Sequence, residues 1–164
     1  MTAPTLHLLC GLPGAGKTTL AKRLAAELPA LRLTEDEWVL RLFPPGAPND
    51  DSVRVPIKNV QWDLAVQAIR LGSHVVLDWG VWSREERAGY RARAAALAIP
   101  LRLYFLDAPF AELVRRLEER NAALPPATFR VTAEELQAYL PWFEPPTPDE
   151  LEDVLHLCHG DLRG

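Results

Sequence analysis

The residues best suited to chemistry lie near the start of the chain, where an apolar run ends in a glycine-rich segment. Residues 11–18, GLPGAGKT, fit the Walker A pattern G-x-x-x-x-G-K-[ST]. Glycines let main-chain N–H groups surround a phosphate, the lysine adds a positive charge, and the threonine hydroxyl suits Mg²⁺. We therefore predict a nucleotide-phosphate site. Its members are Gly11, Pro13, Gly14, Ala15, Gly16, Lys17, Thr18 and Thr19.

An ordinary glycine-rich turn before a helix is the alternative reading of this segment. The apolar run at 6–10 predicts a buried strand before it, and the run at 21–28 predicts a helix after it. This strand-loop-helix context is the one that the phosphate-binding motif requires, so it favours a phosphate site. The helix would also direct the positive end of its dipole toward the phosphate.

Two aspartates follow other predicted strands. Residues 75–78, VVLD, form an apolar strand ending in an acid, typical of the Walker B carboxylate that reaches Mg²⁺ or a water on it. Asp36 lies in the first turn of a helix that a capping box, Thr34 with Glu37, is predicted to begin. Each acid also has a simpler explanation. Asp78 would cap a helix or lie in a loop, and Asp36 would complement the helix dipole.

Aromatic and basic residues follow Asp78 directly. Trp79 and Trp82 would either line a substrate pocket or belong to the core, and the sequence leaves both readings open. Arg84 and Arg87 lie in the first turn of the next predicted helix, where the helix dipole disfavours cations. That position indicates an anionic partner, unless neighbouring glutamates neutralise the arginines locally.

The predicted elements alternate between strand and helix, which indicates an α/β fold with a parallel sheet and helices on both faces. Ligands of such sheets bind at the carboxyl ends of the strands, where the Walker A segment, Asp36 and Asp78 all fall. We expect strands at 6–10, 30–33, 73–78, 101–106 and 154–158. Helices are expected at 21–28, 34–43, 56–71, 83–98, 108–121 (with Phe110 inward) and 132–140.

Composition limits the function classes. The chain has 164 residues with 24% charged side chains, which predicts one domain over 1–164. A net charge of −4 argues against a nucleic-acid partner. No run reaches membrane-spanning length, the first strand begins too early for a signal peptide, and the two cysteines suit a reduced compartment. A cytoplasmic protein is expected.

Four segments together resemble the small P-loop kinases of the zeta-toxin, chloramphenicol phosphotransferase and polynucleotide kinase group. They are GLPGAGKTT at 11–19, TEDEW at 34–38, VVLD at 75–78 and RLEERN at 116–121. The resemblance implies a P-loop NTPase of nucleoside-monophosphate-kinase type, with a five-stranded parallel sheet in the order 2-3-1-4-5. It also implies that ATP and Mg²⁺ are bound.

The resemblance further implies roles for individual residues. Lys17, Asp36 and Arg120 would be catalytic, with Asp36 orienting or deprotonating the acceptor hydroxyl. Arg116 and Arg120 would lie just before a lid formed by residues 121–131, and Arg130 would fold over the phosphates. The metal ligands would be Thr18 and Asp78. The substrate side of the site would include Asp36, Trp38, Trp79 and Arg87.

These features predict an ATP-dependent kinase that phosphorylates a hydroxyl of a small molecule. A polynucleotide 5′-kinase is an alternative, but such kinases carry an arginine three residues after the Asp36 position, where this chain has Val39. A nucleotide-binding switch or accessory NTPase without an acceptor is a second alternative. A switch has no need of an acceptor base, so the role of Asp36 distinguishes it from a kinase.

Overall fold

A parallel β-sheet forms the centre of the structure, a computed structural model that describes residues 3–150 and 154–157. Its strands are β1 (Leu6–Cys10), β2 (Ala30–Thr34), β3 (His74–Gly80), β4 (Leu101–Leu106) and β5 (Val154–Leu157). They lie in the order β2-β3-β1-β4-β5, and each neighbouring pair is parallel. Every residue of the two central strands, β1 and β3, is buried, as expected for strands covered on both faces.

Helices cover both faces of the sheet. They are α1 (Lys17–Glu27), α2 (Glu35–Leu42), α3 (Asp51–Arg70), α4 (Arg84–Ala96), α5 (Phe110–Ala122) and α6 (Ala133–Tyr139), with a 3-10 turn at Leu140–Trp142. Apolar residues of α3 and α4 pack on one face, and those of α1, α5 and α6 pack on the other. The predicted α/β fold with a parallel sheet is confirmed. Within the described part of the chain, no helix is long and apolar enough to cross a membrane.

The largest difference from the sequence prediction is the start of α3, at Asp51 rather than Pro56. The Asp50 carboxylate accepts a hydrogen bond from the Ser52 N–H at 2.9 Å and so caps the helix. Val53 and Ile57, four residues apart, are buried together, so packing and capping outweigh the backbone hydrogen bond that Pro56 removes. This earlier start places residues 51–55 on a helix instead of in an irregular loop.

The predicted capping box at Thr34 and Glu37 does not form, although α2 begins where it was predicted. Arg32 binds both of its members: Nη1 donates to Thr34 Oγ1 at 2.5 Å and Nη2 donates to Glu37 Oε1 at 2.8 Å. A charged donor makes stronger hydrogen bonds than backbone N–H groups do. The first turn of α2 is therefore tied to β2 through an arginine.

Smaller differences concern helix starts and the last strand. Thr132 and Glu135 form a capping box at the start of α6, whereas at the start of α4 Ser83 accepts from the Glu86 N–H and the Glu86 carboxylate accepts from the Trp82 N–H. Phe110 was predicted to face inward but is 38% exposed, because it is the first residue of α5. The predicted strand at 154–158 is β5, and residue 158 lies outside the described residues.

Two buried histidines and a tyrosine from three neighbouring strands, β1, β3 and β4, pack together. His7 Nδ1 lies 2.9 Å from the Tyr104 hydroxyl oxygen, and His7 Nε2 lies 3.4 Å from His74 Nδ1. The Thr5 N–H donates to the same His74 nitrogen at 3.2 Å. Burial, with smaller contributions from His74 and Arg102, lowers the pKa of His7 from 6.5 to about 4.

We expect this histidine to make the fold acid-sensitive. Because His7 is neutral in the fold and its pKa is depressed, its stabilising contribution is complete above pH 6.5 and is lost as the pH falls toward 4. The loss by pH 4 should be about 3 kcal/mol in the free energy of unfolding. Urea unfolding at pH 7 and pH 4.5 should show a smaller loss for His7→Gln than for the wild type. Equal losses in the two proteins would contradict this assignment.

Candidate functional site

The glycine-rich segment forms a tight loop between β1 and the start of α1. Gly16 occupies the position before α1 with φ of 101°, and Gly14 has φ of 83°. A Cβ on Gly14 would come within 3.0 Å of the Leu113 carbonyl oxygen, so the loop lies directly against α5. Left-handed backbone conformations of this kind favour glycine. The loop therefore places its main-chain N–H groups at the positive end of α1, as a phosphate site requires.

Lys17 lies across this loop. Its Nζ donates to the carbonyl oxygens of Gly11 at 2.8 Å and Leu12 at 2.9 Å. Burial lowers the pKa of Lys17, while the carboxylates of Asp78 and Asp36 act in the opposite direction. The lysine charge is thus held beside the loop amides, within electrostatic reach of both predicted acids.

The two predicted metal ligands are in direct contact. The Thr18 hydroxyl donates to Asp78 Oδ2 at 2.8 Å, and Asp78 is only 5% exposed on β3. Burial raises the pKa of Asp78, and Lys17 opposes that shift. Among the described residues, no group of three or more His, Cys, Asp or Glu side chains could hold a metal alone. One hydroxyl and one carboxylate fit Mg²⁺, which usually keeps several waters and shares substrate phosphates.

Asp36 faces the same edge of the sheet. It is the second residue of α2, which follows β2 without a loop, and β2 pairs with β3 so that Thr34 lies opposite Asp78. The Asp36 charge influences the pKa values of Lys17, Asp78 and Arg120. Its side chain is 44% exposed, so it is accessible to a ligand. The structure therefore brings Asp36 and the Walker A loop to one site.

The two predicted arginines of α5 lie at different places around the loop. Arg116 Nε donates to Glu112 at 2.7 Å, and its Nη1 lies 3.3 Å from the Gly14 carbonyl oxygen. Arg120 Nη2 donates to the Phe129 carbonyl at 3.1 Å. Its Nε is buried without a hydrogen-bond partner in the described chain. A buried unpaired donor on a cation is costly, which indicates that Arg120 has an acceptor to meet.

The segment predicted to be a lid has no helix or strand between residues 123 and 132. Arg130 is exposed on it. The Phe129 carbonyl and the Val131 carbonyl anchor the segment to α5, through Arg120 and Asn121 respectively. The segment is therefore held by hydrogen bonds to the last turn of α5, the helix that carries the two arginines.

The aromatic residues predicted for the substrate side differ in environment. Trp79 is 5% exposed, and its Nε1 donates to Gln61 Oε1 at 2.6 Å. Its ring packs on Tyr90 at a centroid distance of 5.1 Å. Trp79 is thus a core residue, one of the two readings that the sequence left open. Trp38 is only partly buried, against the core and against the apolar contact between α2 and α3.

Arg87 was predicted on the substrate side, and the structure gives it a structural role instead. It is fully buried, and its Nε and Nη2 donate to the two Glu150 oxygens at 2.9 and 2.8 Å. Its Nη1 donates to the Glu144 carbonyl at 2.8 Å. Arg84 similarly pairs with Asp149. The positions of Arg84 and Arg87 predicted an anionic partner, and in the structure that partner is Asp149 for Arg84 and Glu150 for Arg87. Arg87 is therefore not part of the proposed substrate site.

Replacing Arg87 with leucine should destabilise the protein by about 3–5 kcal/mol, because the variant leaves a buried carboxylate without its main partner. Glu150 is 6% exposed, and Arg87 holds its pKa at about 2. The double variant Arg87→Leu/Glu150→Leu should recover much of that loss, since it removes both charges. Free energies of unfolding in urea would measure both effects. A cost below about 1 kcal/mol for Arg87→Leu would show that the pair is not structural.

Sequence reasoning missed Arg54, which contacts the predicted acceptor acid. Arg54 Nη2 lies 2.9 Å from Asp36 Oδ1, and Nη1 lies 2.9 Å from Glu35 Oε1. It was missed because the predicted helices ended at residue 43 and began again at residue 56, which left residues 44–55 as an irregular segment. The signal that would have found it is the Asp50 cap followed by buried residues at helical spacing.

Several solved structures similar to this chain are kinases or are described as kinases. A kinase described as putative from Chloroflexus aurantiacus shares 21% identity with a TM-score of 0.69, covering 96% of this chain and 89% of that one. APS kinase of Mycobacterium tuberculosis, solved with AMPPNP and APS, shares 21% with a TM-score of 0.67, covering 97% and 90%. A gluconokinase of Sinorhizobium meliloti 1021 shares 19% with a TM-score of 0.65, covering 96% and 87%.

The TM-scores of 0.65, 0.67 and 0.69 show that the chain shares the fold of these three proteins. No curated protein matches the sequence. The sequence model of a protein family described as AAA domain matches residues 6–146, which include the Walker A loop, both aspartates and the arginines of α5. Because that match spans most of the chain, the protein belongs to the AAA domain family.

Proposed function

We propose that the protein is an ATP-dependent kinase that transfers the γ-phosphoryl group of ATP to a hydroxyl of a small molecule. The observation that carries this proposal is the position of Asp36. An accessible carboxylate lies within electrostatic reach of Lys17 and Arg120, at the edge of the sheet that holds the Walker A loop. A protein that only binds or hydrolyses nucleotide does not require a carboxylate there.

The donor side of the proposed site consists of the loop amides and Lys17. The amides at the start of α1 would bind phosphate oxygens, and Lys17 would exchange its two carbonyl partners for the β- and γ-phosphates. Thr18 and Asp78 would hold Mg²⁺. An ion held there would neutralise part of the phosphate charge.

The acceptor side consists of Asp36, with Trp38 on the same helix. Asp36 would accept a hydrogen bond from the acceptor hydroxyl, which orients that hydroxyl, and would then accept its proton. Arg120, whose Nε is buried and unpaired, would donate to the transferring phosphoryl group as charge develops. Arg116 and Arg130 would stabilise the nucleotide phosphates when residues 121–131 close over them. Positioning and charge stabilisation of this kind supply most of the catalysis in phosphoryl transfer.

A small hydroxylated molecule suits the site better than a nucleic acid does. The net charge of −4 gives a polynucleotide backbone little to bind, and residue 39 is a buried valine where polynucleotide kinases carry an arginine. Gluconokinase and APS kinase, which share the fold, are named for small-molecule acceptors. One similar structure nevertheless belongs to the Pnkp1/Rnl/Hen1 RNA repair complex, so a 5′-hydroxyl oligonucleotide belongs in the acceptor panel.

The test is the rate of ADP release from Mg²⁺-ATP, with and without a panel of hydroxyl compounds. The panel would contain sugars, polyols, nucleosides, aminoglycosides and a 5′-hydroxyl oligonucleotide. We expect at least one small compound to accelerate ADP release, and Asp36→Asn to remove the acceleration. Turnover that no compound accelerates, and that Asp36→Asn leaves unchanged, would identify the protein as an NTPase without an acceptor.

A further inference from the structure

Arg54 joins three parts of the site. Its two guanidinium nitrogens bind Glu35 and Asp36 at 2.9 Å each, and its Cζ lies 5.6 Å from the centroid of the Phe129 ring. We propose that Arg54 is a positioning residue for Asp36, and that through Phe129 it makes the orientation of the Asp36 carboxylate depend on segment 121–131. This inference rests on the proposed kinase function, in which Asp36 meets the acceptor.

Arg54 is well anchored for that role. It is held on α3 about one turn from Lys58, and α3 packs against α2 through Val53, Ile57 and Val39. Glu35 is 6% exposed, and its second carboxylate oxygen is buried without a hydrogen bond, 3.6 Å from Lys58 Nζ. Burial raises the pKa of Glu35 to about 7, against the opposing charges of Lys58 and Arg54. Glu35 therefore fixes one side of the guanidinium, which leaves the other side to orient Asp36.

The geometry at Asp36 suits an acceptor base. Arg54 Nη2 lies 2.9 Å from Oδ1, and the Asp36 side chain is 44% exposed. A carboxylate held at one oxygen by an arginine cannot rotate freely, because the planar guanidinium fixes both distance and direction. The second oxygen is then available to accept a hydroxyl proton in one orientation. A shift of about 1 Å in such a group lowers rates by as much as about 100-fold.

Phe129 extends the chain of contacts to the predicted lid. The Arg54 guanidinium makes a cation–π contact with its ring, and its carbonyl oxygen accepts a hydrogen bond from Arg120 at 3.1 Å. Movement of segment 121–131 would therefore change the environment of Arg54 and of Arg120 together. The acceptor base on α2 and the phosphate-facing arginine on α5 would reach their working positions in the same step.

Kinetics with Mg²⁺-ATP and the accelerating hydroxyl compound test the positioning role. Arg54→Gln should lower kcat about 10- to 100-fold while the Kd for ATP changes less than about twofold. Arg54→Lys should recover only part of kcat, because an ammonium cannot bind two carboxylates as a fork. Arg32→Gln is the matched control, since Arg32 binds Glu37 in the same turn of α2 without contacting Asp36. An Arg54→Gln protein with the kcat of Arg32→Gln would overturn the proposal.

A second experiment does not depend on the acceptor. The ¹³Cγ resonance of Asp36 would be followed by NMR in the full chain labelled at aspartate, for the wild type, Phe129→Leu, Arg54→Gln and the double variant. Phe129→Leu keeps an apolar side chain but removes the ring face. We expect it to move the Asp36 resonance in the wild type, and to move it less than half as far when Arg54 is glutamine. Equal shifts in both backgrounds, or no shift in the wild type, would overturn the coupling.

The two proposals fail separately. If no compound accelerates ADP release by the wild type, so that there is no acceptor-dependent turnover, the kinase proposal is wrong. If Asp36→Asn abolishes that turnover while Arg54→Gln does not reduce it, the kinase proposal stands and the positioning role of Arg54 is rejected.

Discussion

Lys17→Ala should bind ATP at least about 10-fold more weakly and turn over about 10²–10³-fold more slowly than the wild type, with the fold intact. The lysine contributes a charge beside the loop amides, where phosphate oxygens would otherwise be incompletely neutralised. Its hydrogen-bond partners are two loop carbonyls and it belongs to neither apolar cluster on the sheet, so we expect the fold to survive truncation. Isothermal titration with ATP and a single-turnover assay would measure the two effects.

Lys22→Ala is the matched control for this variant, because Lys22 is exposed on the same helix. It should bind ATP as the wild type does. Circular dichroism should show the same helix content for both variants. Wild-type affinity for ATP in Lys17→Ala would contradict the assignment of the Walker A loop.

Asp36→Asn should reduce acceptor-dependent turnover by about 10²–10⁴-fold while leaving the Kd for ATP nearly unchanged. The amide has the same shape as the carboxylate but cannot accept a proton from the hydroxyl. It also gives up the charge that faces Arg54 at 2.9 Å. Steady-state ADP release with saturating acceptor, combined with direct ATP binding, separates loss of chemistry from loss of nucleotide affinity.

Glu37→Gln provides the comparison for Asp36. Glu37 lies one residue further along the same turn and pairs with Arg32, so it shares the helix dipole and the local charge but not the contact with Arg54. It should retain most of the turnover. Equal losses in the two variants would mean that α2 needs its acids for stability and not for transfer.

The parts of the fold that the sequence predicted are those governed by local pattern. The glycine spacing at 11–16 requires a tight loop whatever surrounds it, and the apolar runs at 6–10 and 101–106 match β1 and β4 residue for residue. Parallel strands bring their carboxyl ends to one edge, so placing Asp36 and Asp78 near the loop required only the correct fold class.

The parts that the sequence did not predict depend on contacts between distant residues. Arg87 looked misplaced at a helix start because its partner, Glu150, lies 63 positions further along the chain. Thr34 and Glu37 had the spacing of a capping box, yet Arg32 from the preceding strand binds both. Neither contact can be predicted from the spacing of the motif residues, because each depends on the position in the fold of a side chain outside the motif.

Arg54 was missed for a different reason. A proline at 56 commonly marks the first turn of a helix, so the segment before it was read as irregular. The Asp50 cap and the burial of Val53 and Ile57 instead start α3 five residues earlier, which places Arg54 next to Asp36. The error therefore concerned a helix boundary, and it concealed a charged contact in the middle of the candidate site.

The most direct test of the central claim is the fate of the γ-phosphate of labelled ATP. After incubation of the protein with [γ-³²P]ATP, Mg²⁺ and the acceptor panel, the label should appear on a hydroxyl compound with the wild type and disappear from it with Asp36→Asn. Label found solely as inorganic phosphate, at the same rate for both proteins, would contradict phosphoryl transfer to an alcohol at this site.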